Sequence, residues 1–151
     1  MLVFSIVLPL AVGGLAAFLT KDSMAQYAAL AQPPLSPPGW VFPVVWTMLF
    51  VLMGAASWRI RQADAPKSEK TRALRLYYAQ LAVNFVWPLL FFRAGRYGTA
   101  FWWLLLLLAL VLATAAAFRK LDRTAARLLA PYIAWMLCAA YLNAGVWRLN
   151  G

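Results

Sequence analysis

The sequence predicts an all-α integral membrane protein, a five transmembrane helix bundle forming one domain over residues 1–151. Three observations carry that expectation. Of the 151 residues, 65% are hydrophobic and 12% charged, more apolar surface than one water-soluble core of this size can bury. The charged side chains gather between long apolar runs, each able to cross a hydrocarbon layer of roughly 30 Å with about 20 helical residues. Helices suit that crossing, because an open strand would leave backbone N–H and C=O groups unpaired in lipid.

The first helix is expected over about 2–19. It lacks the basic start of a signal peptide and exceeds the usual apolar core of one, so it reads as uncleaved. A connection over 20–39 carries Pro33, Pro34, Pro37 and Pro38, which stiffen it, and Tyr27, Leu30 and Leu35, which offer apolar anchors. A lid and a plain spacer are both compatible with that composition. The second helix covers about 40–60, with Pro43 tolerated in its first turn. A charged connection over 59–75 leads to the third helix, about 74–92, and a short turn over 93–98 to the fourth, about 99–118. The aliphatic centre of the fourth, 104–112, reads as lipid contact. After a connection over 119–127 comes the fifth helix, about 128–147, with Pro131 near its start.

A net charge of +10 raises the question of nucleic acid, but the cations sit in short connections and form no stripe on a polar domain, so no nucleic-acid partner is expected. They set topology instead. Arg59, Arg61, Lys67, Lys70, Arg72, Arg75, Arg119, Lys120, Arg123 and Arg127 fall on one face, against Lys21, Arg93, Arg96 and Arg148 on the other. In a bacterial cell membrane this asymmetry predicts a cytoplasmic amino terminus, with the first loop and carboxyl terminus outside. No internal repeat is visible, which disfavours an inverted-repeat transporter. The single cysteine, Cys138, allows no intramolecular disulfide, and histidine is absent, which removes His-based proton relays, the usual haem ligand and most transition-metal sites.

Polar and aromatic residues inside the spans are the candidates for function, because lipid makes them costly without a partner. Gln80, Asn84, Trp87 and Phe91 fall on one stripe of the third helix. Trp135, Ala139 and Asn143 repeat the four-residue step on the fifth, and Trp46, Phe50 and Met53 descend the second. Antiparallel packing puts Trp46, Trp87 and Asn143 in the outer half, with Asn84 and Trp135 near mid-membrane beneath the proline-rich loop. An aromatic cavity with two or three amides under a stiff lid suits a flat hydrophobic ligand with a few polar edges. Two plainer roles compete. Trp40, Trp58, Tyr97 and Trp147 sit where interfacial anchors belong, and Gln or Asn in a span often only joins helices.

Three ordered blocks carry a family resemblance. Pro37-Pro38-Gly39-Trp40 with Pro43 and Trp46, then Tyr78-Ala79-Gln80-Leu81 with Asn84, Trp87 and Phe91-Phe92, then Pro131-Tyr132 with Trp135, Ala139, Leu142-Asn143, Trp147 and Leu149-Asn150 resemble the TspO/MBR family, the translocator and tryptophan-rich sensory proteins. The resemblance spans essentially the whole chain. It implies a five-helix bundle, often a homodimer, that binds porphyrins such as protoporphyrin IX and haem, sterols and other hydrophobic molecules. It also implies a pocket closed by the first loop and lined by Trp46, Asn84, Trp87, Trp135, Ala139 and Leu142, to which the loop adds Tyr27 and Pro38 and the stripes above add Phe50, Gln80, Phe91 and Asn143. In some bacterial members the tryptophans matching Trp46 and Trp135 are linked to light- and oxygen-dependent porphyrin breakdown, which makes them the candidate catalytic pair.

The leading expectation is thus a porphyrin-binding membrane receptor or sensor with no obligatory cofactor and no metal site. Indoles would meet the macrocycle face, while amides and Arg93 or Arg148 would meet its edges. Lacking histidine, the chain suits metal-free porphyrin better than haem. A photo-oxidative enzyme is the alternative, since Asp22, Asp64, Glu69 and Asp122 are all expected in loops and no acid-base or nucleophile set stands in the membrane. A tetrapyrrole or lipid transporter is the third class. The chain departs from the sterol-recognition pattern, with Ala144 and Gly145 after Asn143 and six residues between Tyr141 and Arg148. Ala79 and Ala82 could let two third helices approach, and a monomer fits the sequence equally well.

Overall fold

The structure is a computed structural model and describes residues 2–21, 29, 31 and 41–150. Tyr27, Pro38 and Trp40, with most of the proline-rich connection, lie outside the described residues. All the elements are helical: α1 (Leu2–Thr20), α2 (Val41–Gln62), α3 (Lys67–Pro88), α4 (Tyr97–Leu121), a short α5 (Arg123–Leu128) and α6 (Ala130–Asn150), with a π-helical segment, Leu89–Arg93, prolonging α3. They make a bundle of five rods, α5 and α6 forming the last.

Four of the rods are long and apolar enough to cross a membrane: α1, α2, α4 and the continuous 123–150 stretch. Their outer faces stay apolar. Phe4, Val7 and Phe18 on α1 and Trp102, Leu106 and Leu112 on α4 are exposed, which a bilayer rather than water would solvate. The third rod is equally long but is not among the four. Lys67, Glu69, Lys70, Arg72 and Arg75 lie within α3, so its mean apolarity is diluted.

Several boundaries therefore differ from the sequence expectation. The charged connection after α2 shrinks to residues 63–66, because Lys, Glu, Arg, Ala and Leu are good helix formers and Pro66 presets the entry to α3 with φ −56°. Glu69 consequently sits in the first turn of a helix and not in a loop. The fourth connection is likewise mostly helical: α4 continues to Leu121, and Asp122 caps α5 by accepting from the backbone N–H of Thr124 at 2.8 Å and Ala125 at 3.2 Å.

Pro88 explains the π segment. It has no N–H for the carbonyl four residues back, and its ring crowds that turn, so the chain widens to a looser register that buries Phe91 and Phe92 together. Gly95 then takes φ +64°, a left-handed conformation natural to glycine, and turns the chain into α4.

Packing is closest between α1 and α2 and between α3 and α4. Gly54 lets α1 come against α2: a Cβ there would stand 2.5 Å from the Ser5 carbonyl oxygen. At the basic end, Arg61 donates to the Ser5 hydroxyl at 2.6 Å and to the Tyr78 hydroxyl, and Lys70 donates to its carbonyl, which ties α1, α2 and α3. Arg59 pairs with Asp122 at 3.0 Å and joins α2 to the α4–α5 turn.

Candidate functional site

The α3 stripe faces the bundle interior. Gln80, Asn84, Trp87 and Phe91 are each at most 3% exposed. From α6, Tyr132, Ala139, Leu142 and Asn143 are buried beside them, with Trp135 half-buried. From α2 come Phe42, Phe50 and Met53, buried, and Trp46, half-buried.

Two hydrogen-bonded tiers use most of the polar groups. In the first, the Tyr132 hydroxyl donates to Gln80 Oε1 at 2.9 Å and accepts from Asn84 Nδ2 at 2.5 Å, while Gln80 Nε2 lies 3.9 Å from Met53 Sδ. In the second, Trp87 Nε1 donates to Asn143 Oδ1 at 2.9 Å, and Asn143 Nδ2 donates to the Tyr97 carbonyl at 2.8 Å. Trp87 and Asn143 were expected to line a ligand pocket; here their polar atoms satisfy one another, as buried polar groups must.

Tyr132 was passed over by sequence reasoning, yet it centres the first tier. The signal was present, since 132, 135, 139 and 143 follow three- and four-residue steps on one face. Phe42, Phe92 and Tyr97 were missed as well. Tyr97, expected as an interfacial anchor, packs its ring on Phe91 at 5.2 Å.

Between the tiers and α2 runs an unbroken chain of rings. Phe50 stacks on Trp46 at 5.6 Å; Trp46 meets Trp135 edge-on at 6.4 Å and Tyr132 at 6.2 Å; Phe42 bridges Trp135 at 5.8 Å to Phe92 at 6.0 Å; and Phe92 leads to Trp87 and Phe91. The α6 backbone packs on α4 and α5 and reaches α2 and α3 through these side chains. The ring-filled space between the three helices is thus held open by side chains rather than by close backbone contact.

One polar atom in this cluster has no partner. The indole N–H of Trp135 is buried and makes no hydrogen bond. At the rim, Asn150 at the end of α6 holds the first connection: its Oδ1 accepts from the Ala31 N–H at 3.2 Å and its Nδ2 donates to the Ala31 carbonyl at 2.7 Å. Among the described residues no group of three or more Cys, Asp or Glu could hold a metal ion.

Apolar outer faces around an interior of packed aromatic rings and internally paired amides define a helical membrane protein. Comparison narrows the class. The TspO/MBR family model matches residues 5–148. The sheep translocator protein is 40% identical over 134 residues, 88% of this chain and 79% of its own. The human translocator protein is 39% identical over 134 residues with the same coverage. The tryptophan-rich sensory protein of Cereibacter sphaeroides is 40% identical over 124 residues, 82% of this chain and 76% of its own. The chain belongs to the TspO/MBR family of membrane proteins.

Proposed function

We propose that the chain is a membrane receptor that binds porphyrins, protoporphyrin IX foremost, in the aromatic chamber between α2, α3 and α6, with the first connection as its lid and the third rod as a fifth membrane crossing. The observation that carries this reading is the unpartnered Trp135 N–H amid the rings of Phe42 and Trp46. A buried donor left unpaired costs about 1–3 kcal/mol, and a ligand acceptor removes that cost while the surrounding rings meet a flat apolar face. Porphyrin offers both, a large π-face and acceptor edges. Sterols and other hydrophobic molecules fit the same apolar walls with fewer polar contacts. The Asn150–Ala31 pairing supports a lid anchored beside the chamber.

Titration of purified protein with protoporphyrin IX, followed by tryptophan quenching, tests the reading. Trp135→Phe keeps the ring contacts and removes the N–H, so affinity should fall roughly 2- to 12-fold, the equivalent of a hydrogen bond worth about 0.5–1.5 kcal/mol. An unchanged affinity would falsify the role given to that group.

The edge contact between Trp46 and Trp135 favours a second reading, porphyrin photo-oxidation with these indoles as the catalytic pair. Irradiation with protoporphyrin IX in air should bleach the pigment faster with wild type than with Trp46→Phe, Trp135→Phe. Equal bleaching eliminates it.

A further inference from the structure

At the basic end of the bundle, away from the aromatic chamber, a groove of about 1030 Å³ opens between the first turns of α3 and the last turns of α4. Its volume is at the upper end of the roughly 300–1,000 Å³ usual for small-molecule sites. Its rim and its floor differ in chemistry. Lys67, Arg72 and Arg75 on α3 and Lys120 on α4 face it against the single acid Glu69. The floor is apolar, built by Ala113, Ala116 and Ala117 with Leu76 and Leu121.

These four cations are not used by the fold. Among the described residues the only ion pair is Arg59 with Asp122, and neither of those lines the groove. Arg61 and Lys70, their neighbours, are engaged in hydrogen bonds between helices. The alanine floor begins where the aliphatic run 104–112 of α4 ends, a position that would put the groove at the edge of the hydrocarbon layer in a bilayer. Its occupant must be anionic at one end and apolar at the other. A soluble anion would leave the alanine floor wet, and an acidic protein segment would not continue into hydrocarbon.

We propose that this groove is a binding site for one anionic phospholipid, its phosphate held by Arg72, Arg75 and Lys120 and its acyl chain laid along Ala113, Ala116 and Ala117. Guanidinium groups match phosphate oxygens in bidentate pairs, and the small side chains leave the chain room beside the helix. The site is independent of the porphyrin reading and depends only on the membrane setting.

Native mass spectrometry of the full chain, equilibrated in micelles with equal phosphatidylglycerol and phosphatidylcholine, tests it. Wild type should retain one phosphatidylglycerol with about tenfold preference, and glycerol phosphate should not displace it. Arg72→Gln, Arg75→Gln, Lys120→Gln should abolish the preference. Ala116→Leu, on an exposed position with every charge kept, should reduce it at least threefold. Arg123→Gln, Arg127→Gln, on the same basic end but outside the groove, should leave it intact. Equal loss in that control, or full retention in Ala116→Leu, overturns the site in favour of diffuse surface attraction. Displacement by glycerol phosphate overturns the lipid as occupant. A lipid-free dimer that Ala116→Leu dissociates overturns it in favour of a second copy of the chain.

Discussion

The indoles of Trp46 and Trp135 stand perpendicular, 89° between planes and 6.4 Å between centroids, and they join α2 to α6 across a space that the backbones do not close. Such an edge contact is worth about 0.5–1.5 kcal/mol beyond the area it buries. A ligand offering a larger aromatic face can replace it at small cost.

Tyr132→Phe removes one oxygen and leaves Gln80 Oε1 and Asn84 Nδ2 without their hydroxyl partner in the interior. Interhelical hydrogen bonds in membrane proteins average about 0.6 kcal/mol, but two orphaned amides raise the cost to about 1–3 kcal/mol. Denaturant unfolding in detergent should show that loss. An unchanged midpoint removes the tier from the stabilising interactions.

Gly54→Ala should destabilise by about 1–3 kcal/mol, because its Cβ meets the Ser5 carbonyl oxygen at 2.5 Å and Ile6 Cα at 2.6 Å, backbone atoms that cannot swing aside. Gly14→Ala meets nothing within 4 Å and should be neutral or stabilising by about 0.5–1 kcal/mol. Thermal midpoints of the two variants check the contrast. Equal midpoints would refute the close approach of α1.

Asp122 links acid sensitivity to the turn before α5. Burial pushes its carboxyl up, but the Ala125 N–H, the Arg59 guanidinium and the Thr124 N–H together outweigh burial and hold it below the ordinary 3.8. A native pKa below the unfolded one means that the stabilisation is whole above about pH 3.8 and is lost as pH falls through the lowered native value. Asp122→Asn should cost about 1 kcal/mol near neutrality, and its unfolding midpoint should converge with wild type as the pH falls below 3.8. Parallel curves would remove the linkage.

Asn150→Leu deletes both hydrogen bonds to Ala31. Amide exchange at Ala31 should accelerate several-fold, and protoporphyrin IX should dissociate faster with little change in association. Asn150→Asp keeps the acceptor alone and should fall between. Unaltered exchange in Asn150→Leu would mean that the pairing does not restrain the connection.

The rods and the inward stripe of α3 are legible in the sequence because apolar runs and four-residue steps map directly onto a helix. Gln80, Asn84, Trp87 and Phe91 needed nothing more. What is not legible comes from tertiary partners. Nothing local says that Trp87 will pair with Asn143, 56 residues away, so both look like free ligand contacts. Tyr132 shows its role only when Gln80 and Asn84 are placed opposite. Phe92 breaks the 3.6-residue period, and only the wider turn after Pro88 brings it inside with Phe91. The helix ends extend past the apolar runs because charged residues that end a membrane span still favour helix.

The most direct test compares equilibrium dissociation constants for protoporphyrin IX across tryptophans that differ only in where they face. Trp46→Phe, Trp135→Phe alters the chamber, whereas Trp102→Phe alters a side chain 64% exposed on the outer surface of α4. The chamber predicts at least tenfold weaker binding in the double variant, and wild-type affinity for Trp102→Phe. Wild-type affinity in the double variant, or weakening confined to Trp102→Phe, contradicts a porphyrin site between α2, α3 and α6.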